Sequence, residues 1–185
     1  MRWLEVRKAA KVIKHGGIVA YPTESVYGLG CDPQNGSAVY RLLWLKNRSV
    51  DKGLILIASS VQQLKPYLAE FGEEYMERAL LTWPGPTTWI MPASERTPQW
   101  LRGEHKTIAV RVTGHPLAAA LCRQFKGAIV STSANKTGEP VIKQTKQIEQ
   151  IFGDDVDYVL KGETGHLERP TEIRDVMTNE VIRES

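Results

Sequence analysis

Lys46-Asn47-Arg48-Ser49-Val50-Asp51-Lys52-Gly53 runs directly into Leu54-Ile55-Leu56-Ile57-Ala58. The last five residues are continuously aliphatic, the pattern of a strand covered on both faces. Such strands belong to sheets flanked by helices, and the neighbouring sequence supplies them. Upstream, Val39, Leu42, Leu43 and Lys46 recur at helical spacing behind Ser37, which reads as the N-cap of a helix over 37–46. Downstream, amphipathic helices are expected over 61–68 and 73–81.

Working outward, Trp3, Val6, Ala10 and Ile13 mark a first helix, stopped at Gly16-Gly17. Short strands are expected at 18–21, 87–91, 107–112, 128–132 and 158–160, with helices over 116–124 and 143–152. Trp83-Pro84-Gly85-Pro86 breaks the chain sharply, and 172–183 reads as a hairpin turning at Thr178-Asn179. Strands alternating with helices, closed by a hairpin, give an α/β fold with a mixed sheet. With 185 residues and neither a repeat nor a linker, one domain over 1–185 is expected.

Hydrophobic residues at 42% and charged residues at 24% exclude a disordered, collagen-like or coiled-coil chain. No apolar run reaches membrane-spanning length, and Met1-Arg2-Trp3-Leu4-Glu5 is unlike a signal peptide, so a soluble cytoplasmic protein is expected. The two cysteines, Cys31 and Cys122, cannot make a disulfide framework and lack metal-ligand spacing. A net charge of +3 is too mild to mark a nucleic-acid binder by itself. Its distribution says more: Arg41, Lys46, Arg48 and Lys52 cluster around a single Asp51, which suggests one positive face.

The chain has no P-loop, GxGxxG, HExxH or GxSxG motif, and its four histidines show no ligand spacing. Four stretches remain as candidates for chemistry. Lys46-Asn47-Arg48 with Lys52 would project cations from the end of a sheet, suited to a polyphosphate or carboxylate, or would merely complement a helix C-terminus. Ser131-Thr132-Ser133-Ala134-Asn135 ends a strand in hydroxyls and an amide, able to hold phosphate oxygens or a small polar substrate, or to close an ordinary turn. Pro22-Thr23-Glu24-Ser25-Val26-Tyr27-Gly28-Leu29-Gly30 reads as a polar turn whose glycines permit close backbone approach, or simply the turn itself. Arg111 lies in the apolar run Thr107-Ile108-Ala109-Val110-Arg111 and needs an anionic partner, either a ligand or one of the 21 acids.

In this order and spacing, these pieces resemble the YrdC-type threonylcarbamoyl-AMP synthase family. Trp83-Pro84-Gly85-Pro86 and Lys52-Gly53-Leu54 add to the likeness, which extends from Ile18 to Arg183. The resemblance implies a twisted mixed sheet with flanking helices and a basic concave cleft. It implies synthesis of L-threonylcarbamoyladenylate and pyrophosphate from L-threonine, bicarbonate or CO2, and ATP carrying Mg²⁺. The product feeds N6-threonylcarbamoyladenosine formation at position 37 of tRNAs reading ANN codons, through downstream transferase proteins. By motif position, Lys46 and Arg48 would be catalytic. Lys46, Arg48, Lys52, Thr107, Ser133, Asn135 and Arg183 would face ATP, and Thr23, Arg111, Ser131 and Thr171 would face threonine. Two departures stand out: Ile57 holds the place of a threonine-pocket histidine found in longer members, and Val141 that of an ATP-contacting serine.

The residues suit this reaction. A threonine carbamate attacking the α-phosphorus of ATP needs convergent cations rather than a covalent nucleophile, since the triphosphate alone carries about four negative charges. Two other classes are open. One is a non-catalytic module binding double-stranded RNA or tRNA in the same cleft, an affinity the resemblance also carries. The other is a carbamoyl-handling domain like that of hydrogenase maturation carbamoyltransferases, whose additional modules 185 residues cannot hold.

Overall fold

The computed structural model describes residues 2–167 and 170–184. Its elements follow the chain as α1 (Trp3–Lys14), β1 (Val19–Pro22), β2 (Tyr27–Gly30), α2 (Gly36–Leu45), β3 (Ile55–Ala58), α3 (Val61–Leu64), α4 (Glu73–Leu80) and β4 (Thr88–Pro92). The second half continues with α5 (Gln99–Arg102), β5 (Thr107–Val112), α6 (Pro116–Phe125), β6 (Ile129–Ser133), α7 (Thr145–Phe152), β7 (Tyr158–Val159), β8 (Ile173–Asp175) and β9 (Val181–Arg183). The nine strands form one mixed sheet in the order β7-β1-β2-β6-β3-β5-β4-β8-β9. As expected, the aliphatic run lies at its centre, with β3 parallel to β5 and antiparallel to β6.

Alternation along β3 divides the interior. Leu56 and Ala58 point into a core completed by Leu42 of α2, Leu101 of α5 and Ile148 of α7. Ile57 points the other way, into a smaller core made with Ile13 of α1 and Leu121 of α6. The strand is therefore covered on both faces, which its unbroken apolarity required. On the second face α1 and α6 cover only part of the sheet. The uncovered part is a row of register partners: Gly28 opposite Ser133, Ser131 opposite Ile55, Ile55 opposite Ala109, and Ala109 opposite Ile90. Small or short side chains at Gly28, Ala109 and the two serines leave this row concave.

Three local expectations are corrected. The N-cap of α2 is Asn35, whose side chain accepts from Ala38 N–H at 3.1 Å, and not Ser37, which already lies in the helix. Residues 27–30 do not belong to a turn; they form β2, antiparallel to β1. Hidden glycines explain the misreading: Gly28 and Gly30 lower strand propensity, yet a Cβ on Gly30 would approach Val130 O to 2.4 Å, so close packing demands glycine there. The helix expected over 61–68 is a four-residue α3 followed by a 3-10 turn at Lys65–Tyr67. The closing hairpin forms as read, with Asn179 at positive φ and Asp175 Oδ1 accepting from the Met177 and Thr178 N–H groups.

Because Leu56 is fully buried at the sheet's centre, Leu56→Ala is expected to lower folding stability by about 2–5 kcal/mol through lost burial and a residual cavity. Denaturant unfolding of the purified variant measures it; a loss below 1 kcal/mol would contradict this packing.

Candidate active site

The uncovered row is the floor of a cleft of about 320 Å³. Ser131, Ser133 and Thr107 line it from the strands, Thr23 from the β1–β2 turn, and Thr171 from the segment before β8. Its charged lining is one-sided. Arg48, Lys52, Arg102, Arg111 and Arg183 reach it, and among the described residues no acid does.

Each cation is placed by a different element. The chain after α2 turns through Asn47, at positive φ, and sends Arg48 towards the cleft. Arg48 Nη2 donates to Gly53 O at 3.0 Å, while its buried Nε has no hydrogen-bond partner. Burial lowers its pKa. Arg183 on β9 donates through Nη2 to Thr171 O at 2.6 Å. Desolvation, then the neighbouring charges of Arg111 and Arg48, lower its pKa, so three guanidiniums converge here. Lys52 and Arg102 reach the cleft from adjoining segments, tied where Leu54 N–H donates to Leu101 O at 2.8 Å. There Gly103 is at positive φ, and a Cβ on it would lie 2.2 Å from Asp51 O.

Arg111 is only 4% exposed. Its Nη1 donates to Thr171 Oγ1 at 2.7 Å and Thr88 Oγ1 at 3.2 Å. Its Nη2 lies 3.4 Å from Glu24 Oε2, and its Nε is buried without a partner. The arginine thus has a structural acid, as one reading of the sequence expected, and it also lines the cleft. Burial alone would raise the Glu24 pKa, but the Arg111 charge and donation from Thr113 and Gly114 hold it below its ordinary value.

Lys46 is placed differently from the expectation. It is 3% exposed, does not line the cleft, and donates from Nζ to the carbonyls of Ser133, at 2.6 Å, and Asn135. Desolvation, then the Arg48 charge, push its pKa down to about 8. It ties α2 to the end of β6 from behind. Asn135 is also outside the lining; its amide closes its own turn on Lys136 O and Glu139 O, as the self-capping reading anticipated. Arg41 leaves the basic group altogether for Asp157. Ile57 is fully buried in the α1–α6 core, and Ile55, two residues earlier on that face, lines the cleft instead. Val141 lies outside the lining.

The remaining predicted residues, Arg48, Lys52, Thr107, Ser133 and Arg183 on one side and Thr23, Arg111, Ser131 and Thr171 on the other, all line one cleft. Sequence reasoning missed Arg102, His105 and Glu24 as parts of the site. No motif marks the first two, and Glu24 sat within a quoted stretch whose partner lies far along the chain.

A family model described as "Telomere recombination", covering Sua5, YciO and YrdC proteins, matches residues 11–185. The chain belongs to this family. Among its relatives, it is 51% identical to the threonylcarbamoyl-AMP synthase of Nitrosococcus oceani and 49% identical to that of Coxiella burnetii strain RSA 493, each over 178 residues and 96% of both chains. In three dimensions it resembles P. abyssi Sua5 complexed with L-threonine, with a TM-score of 0.89 and 32% identity over 95% of this chain. It spans about half of that structure, 52% of its length. It also resembles E. coli YciO, with a TM-score of 0.84 and 25% identity over 99% of this chain and 90% of the other.

The depressed pKa of Lys46 has a measurable consequence. Between about pH 8 and 10.5 the unfolded chain retains a proton that folded Lys46 has released, so this group adds stability as the pH rises through that interval. The gain is up to about 3 kcal/mol. Unfolding of wild type and Lys46→Met across the interval should show the rise reduced in the variant; parallel curves would place the lysine in a more solvated setting.

Proposed function

We propose that this chain is a threonylcarbamoyl-AMP synthase, forming L-threonylcarbamoyladenylate and pyrophosphate from L-threonine, bicarbonate or CO2, and ATP. The observation that carries it is the convergence of Arg48, Arg111 and Arg183 on one cleft that no acid lines among the described residues. A hydroxyl-rich end of that cleft, at Thr23, Ser131 and Thr171, fits an amino acid with a side-chain hydroxyl. Relatives bearing the synthase name at about half identity support the same reading.

The two ends divide the work. Arg111, which lines this end of the cleft, receives the threonine carboxylate, and Thr23 and Ser131 border the rest of the amino acid. Arg48, Lys52 and Arg183 receive the triphosphate, with Ser133 and Thr107 beside the nucleotide. Threonine's amine gives the carbamate either by adding to CO2 and releasing a proton or by condensing with bicarbonate and releasing water. A carbamate oxygen then forms a bond to the α-phosphorus as the bond to the bridging oxygen breaks and pyrophosphate leaves. The protein positions two anions that repel one another and neutralises the charge that grows on the leaving group. Lys46 contributes by fixing the Ser133–Asn135 backbone. Among the described residues no group of three His, Cys, Asp or Glu side chains is placed to hold a metal. Mg²⁺ would come with the nucleotide, held largely by its phosphates, and would neutralise part of their charge. The product passes to transferase proteins that modify adenosine 37 of tRNA.

An RNA-binding module is the weaker reading. An RNA backbone is contacted by protruding cations, whereas Arg111 is 4% exposed and locked on three side chains. None of the described helices is long and apolar enough to cross a membrane, in keeping with cytoplasmic tRNA chemistry.

Incubation with ATP, Mg²⁺, bicarbonate and an amino acid, with pyrophosphate as the readout, tests the reading. Release should require L-threonine, with serine a poor substitute and valine poorer still, because a site built to bond a hydroxyl rejects analogues lacking it by orders of magnitude. Equal rates with valine would remove the hydroxyl pocket. In the same assay Arg48→Ala should slow turnover by roughly 10²–10³ while melting near wild type, the usual cost of one electrostatic contact. A less stable but fully active variant would return Arg48 to a purely structural part.

A further inference from the structure

We propose that Glu24 determines specificity within the cleft: its carboxylate neutralises and aims Arg111, so that the threonine end accepts a carboxylate and refuses phosphate. This rests on the threonine site proposed above.

The cleft must bind two anions without exchanging their places. Arg48 and Arg183 are held by neutral carbonyls, Gly53 O and Thr171 O, and keep their full charge. Among the described residues, Arg111 alone of these faces a carboxylate. The Arg111–Glu24 pair is formally neutral, so it offers directional donors without the net positive field that draws a multiply charged phosphate. Two anions of different charge are thereby sorted along one cleft.

The geometry makes Glu24 rigid enough for this. Its Oε1 accepts from the Thr113 hydroxyl at 2.7 Å and Gly114 N–H at 3.0 Å. Its Oε2 has no hydrogen-bond donor and faces Arg111. The backbone is pinned as well: Thr23 O accepts from Gly165 N–H at 2.8 Å and Glu24 O from Leu167 N–H at 3.3 Å. A Cβ on Gly165 would lie 2.3 Å from Glu24 O, so the covering segment sits directly on this turn. With Nη1 on Thr88 and Thr171 and Nη2 facing Glu24, the guanidinium cannot swing and is presented to the cleft in one orientation. Glu24 does not line the cleft; it acts through Arg111 and is a positioning residue.

The test is steady-state kinetics with inorganic phosphate as the probe. In wild type, phosphate should compete with ATP and not with threonine; competition with threonine in wild type overturns the proposal without any variant. Glu24→Gln preserves size and an acceptor for Thr113 but removes the charge. It should raise the threonine KM about tenfold or more, leave the ATP KM within about threefold, and make phosphate competitive with threonine. Glu24→Asp, which keeps the charge, should still exclude phosphate from the threonine end. If Glu24→Asp admits phosphate as Glu24→Gln does, or if Glu24→Gln keeps the wild-type pattern, charge sorting is wrong. Arg111→Met separates the underlying reading: an unchanged threonine KM there removes the threonine site itself, and the sorting role falls with it. A raised threonine KM in Arg111→Met beside an unaltered Glu24→Gln leaves that site standing and removes Glu24 alone.

Discussion

Like charges brought together and partly removed from water repel, and this chain gathers Arg48, Arg111 and Arg183 around one cleft. A close pair at ~4 Å costs about 1–4 kcal/mol, depending on solvent access. The fold meets that cost with dipoles. Gly53 O, Thr171 O and the Ser133 and Asn135 carbonyls accept from Arg48, Arg183 and Lys46. Carbonyls stabilise a cation without cancelling it, so the field survives for an anionic ligand. Acidic partners for Arg48 and Arg183 would have cancelled the charge a triphosphate needs; among the described residues only Arg111 of the three has one, in Glu24.

The sheet makes this placement possible. A row of register partners crosses β2, β6, β3, β5 and β4 on one face, and α1 and α6 stop short of it. Because side chains alternate, the residues between those of the row, such as Leu56 and Val110, are committed to the opposite core. Rigid packing there fixes the row within the precision that two reacting anions require. Arg48 and Lys52 lie in the segment that leads into β3, and Arg102 ends α5 just before β5, so all three are set by the strands they precede.

Much of this was legible in the sequence, for identifiable reasons. Unbroken apolarity at 54–58 declares a doubly covered strand, and the arginine in 107–111 declares a buried cation in need of a partner. What was not legible is tertiary. Lys46 and Arg48 are two residues apart, and nothing local says that one turns behind the sheet while the other enters the cleft. β2 was hidden because Gly28 and Gly30 are chosen for closeness to Tyr21 and Val130, which propensity cannot express. Ile57 was matched to the place of a pocket histidine in longer members, yet the boundary between α6 and the cleft falls between it and Ile55. Glu24 and Arg111 meet only once the sheet has formed.

The same geometry says how the reaction gains its rate. Cys31 and Cys122 are fully buried, and burial pushes both thiols up to about 12, so neither is a nucleophile. His115 caps α6 and contacts Glu163 O. Among the described residues no hydroxyl lining the cleft is hydrogen-bonded to a histidine or a carboxylate; Thr23 instead donates to Val26 O. A hydroxyl without a base is a poor nucleophile and a good hydrogen-bonding wall. The proposed attack by the substrate's own carbamate asks no such activation of the protein. Holding that oxygen against the α-phosphorus is worth effective concentrations of about 10⁵–10⁸ M in well-oriented systems. Such gains need rigid placement of both anions, which the carbonyl-held Arg48 and Arg183 and the Glu24-paired Arg111 would supply.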